Sequence, residues 1–374
     1  DGAAIDLLKT AKFQAIRQEA GLETGMLDGT YTAFMPIADL RVGDEVEFSY
    51  TIDRRNPVLD GHVEFEGFLV PGLSIDQLFI RNSWPSDHAV RTRAGESLPK
   101  PKTAHKGGVT SWTIAGNEID MPTIPDGAPG RYLERGIYQL SDFADWNAVA
   151  SLMAPLYEKA SQLADGSPLQ AEIDRIAAEY DTPMARAQAA LSLVQTDIRY
   201  FADVQGLGGY VPVTADNVWE RRIGDCKGKT VLLMTLLKGL GIEAEPALVS
   251  VQRSDGVDLS LPMPGRFDHV LVRATIDGEN HWLDGTRFED GPIAKLETPT
   301  FLWALPLDSG ASGLVAIPIN ALQRPETEFH LTLDTSAGID EPAKATGSAV
   351  YRNDSAQQNA RNCSRAFGGV AIIP

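Results

Sequence analysis

The sequence contains only two cysteines, Cys226 and Cys363, among 374 residues. A disulfide framework needs several pairs and a structural zinc site needs clustered Cys or His ligands, and neither pattern occurs. Basic residues are also scarce, with 33 Lys and Arg against 51 Asp and Glu, which gives a formal net charge of −18. Nucleic acids and anionic membrane surfaces require a positive footprint on their partner, so we expect neither as a partner.

Long apolar runs are missing as well. No stretch approaches the roughly 18 apolar residues of a membrane-spanning helix, so we expect no such segment. A calcium loop of the D-x-D-x-D-G type is also lacking, and we expect neither a cofactor nor a metal. The sequence starts at Asp1 without a methionine, which would fit a processed or trimmed chain, and its character changes abruptly after Gln358.

What is present falls into regions of different pattern. A helical period over residues 5–16 is followed, up to about residue 120, by short runs in which apolar and polar residues alternate. This alternation, as in "EVEFSYTI", "HVEFEGFLV" and "DQLFIRNSW", predicts half-buried antiparallel strands and favours a β-sandwich. The Pro- and Gly-rich passage "DMPTIPDGAPGRYLERGIYQ" then predicts a linker.

Helices dominate the next region. Ser167-Pro168 and Thr182-Pro183 each predict an N-cap followed by a proline in the first helical turn. After the loop "QGLGGYVP" and one more helix come the strand-like runs "EPALVSV", "DHVLVRATI" and "HWLDG", and later "TEFHLTLD" and "TGSAVY". The sequence therefore predicts an α+β multidomain protein with an N-terminal antiparallel β-sandwich, a mixed core and the start of a further β-domain.

The stretch "RRIGDCKGKTVLLMTLLKGLG", residues 221–241, allows two interpretations. Gly228-Lys229-Thr230 could end a phosphate-binding loop, which requires the pattern G-x-x-x-x-G-K-[ST]. Five residues before Gly228 lies Ile223, and Gly224 comes one residue too late. The preceding "ADNVWERRI" is also too polar for the buried strand that such a loop follows. Spacing and context therefore exclude an ATPase loop.

The second interpretation is a thiol nucleophile at the start of a helix. Asp225 can cap that helix and leave Cys226 in its first turn, where free N–H groups and the helix dipole stabilise a thiolate. Lys227 and Lys229 add positive charge nearby, whereas Asp225 opposes it. The same N–H groups could also receive an oxyanion. Downstream, a stripe at helical spacing is expected to be buried: Leu233, Leu236, Leu237 and Leu240.

A cysteine nucleophile needs a base, and the base needs an orienting group. Of six histidines, only His269 and His281 lie in the same region as Cys226. Between them, Asp277-Gly278 is a strong signal for a two-residue type I′ hairpin turn. Such a turn would join "DHVLVRATI" to "ENHWLDGT".

The length of this turn fixes which residues face one another. Pairing across it puts Leu271 opposite Asp284 and His269 opposite Thr286. His269 and Asp284 then become diagonal neighbours on one face, within side-chain reach. His281 falls on the other face. We therefore predict a nucleophile, base and carboxylate formed by Cys226, His269 and Asp284, although each residue alone would more often have an ordinary structural role.

The stretches "GDCKGKTVLLMTLLKGLGIEAEPALV" and "FDHVLVRATIDGENHWLDGT" resemble the core of the transglutaminase-like superfamily. The resemblance covers roughly residues 145–320 and implies a papain-like triad at Cys226, His269 and Asp284. The region before it, with "LDGTYTAFMPIADLRVGDEVEFSYTI", resembles a bacterial branch in which a β-sandwich domain of unknown function precedes this core. The implied domains are a sandwich at 1–143, a catalytic domain at 144–322 and a partial β segment with a tail at 323–374.

The resemblance also implies details of the site. Members often have Asp where this chain has Gly228, and the family places an oxyanion-stabilising side chain upstream of the cysteine, for which Gln205 and Tyr210 are our candidates. Because relatives are frequently exported in Gram-negative bacteria, we expect a periplasmic or cell-envelope location.

These observations favour a cysteine-dependent acyl transfer through a thioester, with hydrolysis of a peptide or amide bond as the expected outcome. The same triad could instead serve a protein-glutamine transglutaminase or an esterase. A non-catalytic binding or scaffold protein of the envelope is the alternative outside enzymes.

Overall fold

The protein is described by a computed structural model that covers residues 4–288, 290–308, 313–319, 321–322, 324–338, 340–356 and 359. Across these residues, helices and mostly antiparallel strands are mixed, as predicted. Within the same ranges, no helix combines the length and the apolar character needed to cross a bilayer.

The N-terminal region consists of nine strands: β1 (Gln14–Arg17), β2 (Met26–Leu27), β3 (Tyr31–Phe34), β4 (Glu64–Phe68), β5 (Ser74–Pro85), β6 (Arg91–Ala94), β7 (Lys102–Lys106), β8 (Val109–Asp120) and β9 (Ile137–Ser141). Two three-stranded antiparallel sheets, in the orders β4-β9-β6 and β5-β8-β7, contribute to one hydrophobic cluster that includes Trp112, Ile114 and Leu140. A sandwich that extends over residues 1–143 stays a prediction.

Three local predictions for this region were wrong. Residues 5–16 form no α-helix but a short 3-10 turn at Leu7–Lys9 and the strand β1. The apolar residues of that pattern remain exposed, and helices gain most of their stability from packing an apolar face. No strand forms over "EVEFSYTI". The predicted linker, residues 120–139, ends inside β9, which pairs with both β4 and β6 and is largely buried.

The core region has five helices: α1 (Trp146–Ala160), α2 (Pro168–Glu179), α3 (Pro183–Asp197), α4 (Ala215–Arg221) and α5 (Cys226–Gly239). The predicted caps are confirmed, since Ser167 Oγ accepts from the N–H of Leu169 at 3.1 Å and Thr182 Oγ1 accepts from the N–H of Ala185 at 3.2 Å. Each cap is followed by proline at the first helical position, where its missing N–H costs nothing.

The strands of the core are β10 (Arg199–Tyr200), β11 (Ala202–Asp203), β12 (Ile223–Gly224), β13 (Glu243–Val249), β14 (His269–Ile276), β15 (Glu279–Leu283), β16 (Trp303–Pro306) and β17 (Val315–Ala316). Five of them form an antiparallel sheet in the order β15-β14-β13-β16-β17. Helix α5 packs against β13 and β14, and every residue from 227 to 237 is buried. The predicted leucine stripe is therefore part of a helix enclosed on all sides, which fixes its N-terminus rigidly.

Toward the end of the chain, β18 (Thr327–Asp334) and β19 (Lys344–Tyr351) form an antiparallel hairpin that is exposed along almost its whole length. The strand-like pattern predicted there is confirmed. The tail with Cys363 lies outside the described residues.

Candidate active site

Cys226 occupies the first position of α5. Asp225 precedes it in an extended conformation, and its Oδ1 accepts the N–H of Gly228 at 2.9 Å, so the predicted N-cap is confirmed. The thiol is half-buried and packs against the main hydrophobic cluster. A cysteine in this position lies beside unpaired N–H groups and the positive end of the helix dipole, the environment that favours a thiolate.

The hairpin that carries His269 and Asp284 has the predicted turn. Asp277 and Gly278 both have positive φ, at 53° and 84°, which is the conformation of a type I′ turn. Pairing runs from Ile276–Glu279 to Val272–Leu283, as the two-residue turn requires. The ladder ends there, before the pairs that the sequence predicted for Leu271 and His269.

His269 lies opposite Val249 of β13 instead, and Asp284 follows directly after β15. Their side chains meet as the diagonal relationship predicts, with His269 Nε2 2.8 Å from Asp284 Oδ2. His269 also interacts with the thiol of Cys226, and this interaction contributes to the raised pKa of the imidazole. Because Nε2 is engaged by Asp284, Nδ1 is the ring nitrogen that faces the thiol. The three predicted residues are thus in contact in the order Cys226, His269, Asp284.

The electrostatics of this pair favour the charged forms. Burial alone would lower the pKa of His269, but its interactions with Asp284 and Cys226 outweigh burial and raise the pKa to about 10. Burial would raise the pKa of Asp284, yet the hydrogen bonds from His269 and Thr286 hold it below its usual value. His269 is therefore an imidazolium at neutral pH, which is the partner that a thiolate needs.

Gln195 on α3 holds the backbone at Asp284 in place. This buried side chain donates from Nε2 to the backbone carbonyl of Asp284 at 2.9 Å and to Asp290 at 2.8 Å. Gln195 has no local signal in the sequence, because its partners lie 89 and 95 positions later.

Tyr200 is the main residue that the sequence analysis missed. Strand β10 pairs in parallel with β12, with Tyr200 opposite Gly224, and the Tyr200 hydroxyl lies close enough to Cys226 for the backbone N–H and the thiol of that residue to influence its pKa. Burial and the nearby negative groups Cys226, Asp225 and Asp284 raise the pKa of Tyr200 well above its usual value. The hydroxyl therefore keeps its proton and can donate it to a developing oxyanion beside Cys226.

The two oxyanion candidates from the sequence make other contacts. Gln205 accepts from Arg17 at 2.8 Å and donates to Asp203 at 3.0 Å, whereas the Tyr210 hydroxyl donates to Glu64 at 2.7 Å. None of these hydrogen bonds reaches Cys226. Both residues lie in the glycine-rich loop after β11. This loop comes several residues after Tyr200, which is the part of the chain beside Cys226.

The two lysines next to Cys226 are also engaged. Lys227 pairs with Asp225, the capping residue, and both side chains are buried. Lys229 is 2% exposed and donates from Nζ to the backbone carbonyl of Ile198 at 2.7 Å. Their positive charges are therefore directed to specific partners rather than to the thiol.

The N-terminal region contacts the loops on both sides of the site. Glu64 of β4 accepts from the N–H of Gly265 at 3.0 Å as well as from Tyr210. Burial raises the pKa of Glu64. Next to it, the buried guanidinium of Arg266 pairs with Glu134 and, at 3.1 Å, with Glu66. These contacts anchor the segment that leads into His269.

Within the described ranges, no three His, Cys, Asp or Glu side chains are placed to hold a metal ion together.

Residues 1–123 match the model of a family described as a domain of unknown function with a solved structure, DUF3857. A comparison with curated proteins finds no match.

Among solved structures, the chain is similar to a candidate protease from Parabacteroides distasonis, with 14% identity and a TM-score of 0.58. The alignment covers 88% of this chain and 64% of that one, so the chain spans less than two thirds of that structure's length. This likeness shows a shared fold. A weaker match is a candidate cysteine protease from Cytophaga hutchinsonii, with 12% identity and a TM-score of 0.27; the alignment covers 78% of this chain and 82% of that one. Another is a structure described as a TGase, with 15% identity and a TM-score of 0.24; the alignment covers 52% of this chain and 45% of that one.

Proposed function

We propose that this protein catalyses acyl transfer through a thioester on Cys226, with hydrolysis of a peptide or amide bond as the net reaction. The observation that carries the proposal is the position of His269, whose Nε2 lies 2.8 Å from Asp284 Oδ2 and whose pKa is raised by interactions with both Asp284 and Cys226. A nucleophile, a base and an orienting carboxylate in this arrangement are the minimum set for covalent catalysis.

In the first half of the reaction, His269 holds the proton of the thiol and the thiolate attacks the carbonyl carbon. The C–S bond forms as the carbonyl electrons move to oxygen, and the backbone N–H of Cys226 and the hydroxyl of Tyr200 donate to that oxyanion. His269 then gives its proton to the leaving amine, and the C–N bond breaks. Asp284 keeps the ring oriented and stabilises its charge throughout.

In the second half, His269 removes a proton from water, whose oxygen attacks the thioester carbon. Collapse of that intermediate breaks the C–S bond, and the proton on His269 restores the starting state with Cys226. An amine in place of water would give transamidation, and an ester in place of the amide would give an esterase. The likeness of the fold to a candidate protease supports hydrolysis of a peptide or amide.

The test compares the wild type with Cys226→Ser and His269→Ala. Iodoacetamide alkylation is followed against pH, and Cys226 and Cys363 are quantified separately by peptide mass, with Cys363 as an internal reference thiol. We expect Cys226 to react well below pH 7 and to lose this advantage in His269→Ala. If Cys226 reacts like Cys363 at every pH, the triad is not functional and the scaffold alternative takes its place.

Turnover then assigns the reaction. The wild type is incubated with fluorescein-labelled casein and with p-nitrophenyl acetate, each with and without monodansylcadaverine as the acceptor amine. Release of labelled peptides supports hydrolysis. Incorporation of the amine without peptide release would replace hydrolysis by transamidation, and turnover of the ester alone would indicate an esterase.

A further inference from the structure

Resting on the proposed function, we propose that Lys229 is a positioning residue: it ties strand β10 to helix α5 and so places the Tyr200 side chain beside Cys226. The ammonium acts through Tyr200 and does not touch the reacting atoms.

The burial of Lys229 is the first observation behind this inference. Its side chain is 2% exposed within the helix core, and Nζ donates to the carbonyl of Ile198 at 2.7 Å. Burial lowers its pKa to about 8, partly opposed by Asp284. Desolvating an ammonium is unfavourable, and an apolar side chain would fill a buried helix position without that cost. We therefore expect the ammonium of Lys229 to have a specific role at this position.

The position of the ammonium indicates that role. Ile198 is the residue immediately before β10, and Tyr200 is two residues further along. Lys229 is three residues after Cys226 on α5, so the two side chains leave neighbouring positions of one helix surface. One contact from this helix therefore fixes the start of the short strand that carries Tyr200.

Strand β10 needs such a tie because its own pairing is minimal. The ladder with β12 contains only the pairs Arg199–Ile223 and Tyr200–Gly224. Backbone hydrogen bonds extend it slightly, from Arg199 N to the carbonyl of Arg222 at 2.8 Å and from Phe201 N to that of Gly224 at 3.2 Å. A pairing of this length is far below what is stable in isolation, so contacts outside the ladder must hold it in place.

The aliphatic part of the Lys229 side chain lies next to two glycines of the site, Gly224 and Gly285. A Cβ on Gly224 would lie 3.4 Å from Lys229 Cγ, and one on Gly285 would lie 3.5 Å from Lys229 Cβ. The side chain thus packs against the residue that pairs with Tyr200 and against the turn that follows Asp284. Its loss would loosen both sides of the oxyanion position.

The test is a double-mutant cycle with Lys229→Met and Tyr200→Phe, measured as kcat and KM for p-nitrophenyl acetate and as the rate of Cys226 alkylation. We expect Lys229→Met to lower kcat about 10-fold to 100-fold, no more than the roughly 100-fold to 1000-fold loss expected on removing an oxyanion donor itself, with little change in KM. Fast alkylation should persist, because His269 and Asp284 are untouched. In the Tyr200→Phe background, Lys229→Met should lower kcat no further.

The control is Thr235→Val. Thr235 is a buried polar residue of the same helix whose Oγ1 donates to the carbonyl of Val231 at 2.8 Å, away from β10. It should lower stability without changing kcat. Unchanged kcat in Lys229→Met, or losses that multiply in the double variant, would overturn the inference.

If Lys229→Met does not fold, Lys229→Gln, which retains a donor on a shorter side chain, enters the same cycle and is judged by the same two criteria. Failure of the proposed function is recognised separately, since the wild type itself would then show neither turnover nor a reactive Cys226.

Discussion

Thr286 makes two hydrogen bonds to one carboxylate oxygen of Asp284, from its backbone N–H at 2.8 Å and from its hydroxyl at 2.7 Å. Both go to Oδ1, so Oδ2 remains for His269. Thr286, two positions further along the chain, therefore orients the carboxylate independently of the contact with the imidazole. Bonds of this kind to a charged acceptor stabilise the ionised form.

Replacement of Thr286 by alanine should lower kcat/KM about 10-fold, because a hydrogen bond to a charged group contributes about 1.5–3 kcal/mol and the backbone N–H bond remains. Thr286→Ser keeps the hydroxyl and serves as the matched control, with activity near that of the wild type. Steady-state rates for both variants decide the matter. Equal losses in the two variants would mean that the threonine methyl group matters and the hydrogen bond does not.

Tyr200→Phe should lower kcat about 100-fold or more with KM little changed, since the loss of one oxyanion donor costs about 2.7–4 kcal/mol of transition-state stabilisation. Tyr210→Phe is the informative control, because it removes a hydroxyl that donates to Glu64. We expect its kcat to be unchanged. A larger loss in Tyr210→Phe than in Tyr200→Phe would restore Tyr210 as the oxyanion residue.

Stability should depend on pH through His269. Its folded pKa of about 10 lies above the unfolded value near 6.5, so the folded state holds the proton more tightly. The stabilisation is complete below pH 6.5 and is lost as the pH rises toward 10. Urea unfolding of the wild type and His269→Ala at several pH values measures this. Their difference should shrink by at most about 1.4 kcal/mol per pH unit, the linkage slope for one proton. A difference that grows with pH would contradict the ion pair.

Arg266→Met should lower the free energy of unfolding by about 3–5 kcal/mol, because it leaves the buried carboxylate of Glu134 without one of its cations. Arg131→Met is the control for an ion pair in the same area. Arg131 is 46% exposed in its pair with Asp255, so a much smaller loss of stability is expected because solvent screens the pair. Denaturant titration of both variants tests this, and losses of similar size would show that burial does not distinguish the two pairs.

The parts of the site that could be predicted depend on local rules. Asp225 before an apolar helix fixes the position of Cys226, and Asp277-Gly278 fixes the register that brings His269 to Asp284. Both signals act over a few residues, within the range of caps and turns.

Tyr200 could not be found in this way. Its position results from a two-residue parallel pairing with a segment more than twenty residues later, and a pair of that length has no period in the sequence. The same applies to β9, whose place between β4 and β6 depends on partners far along the chain. The prediction for residues 5–16 was wrong for the opposite reason. The apolar residues there have a helical period, but the rest of the protein offers no surface against which they could be buried.

The two-residue turn at Asp277-Gly278 also limits how this sequence can diverge. Strand β14 contains eight residues, so the turn lies roughly 25 Å from His269 at the usual rise per residue of a strand. Substitutions there are tolerated as long as two residues close the hairpin. A third residue that shifted the pairing by one position would turn the carboxylate of Asp284 away from the imidazole, because side chains alternate between the faces of a sheet. Among homologous sequences, the number of residues between the histidine and the aspartate should therefore vary less than the identity of the residues at the turn.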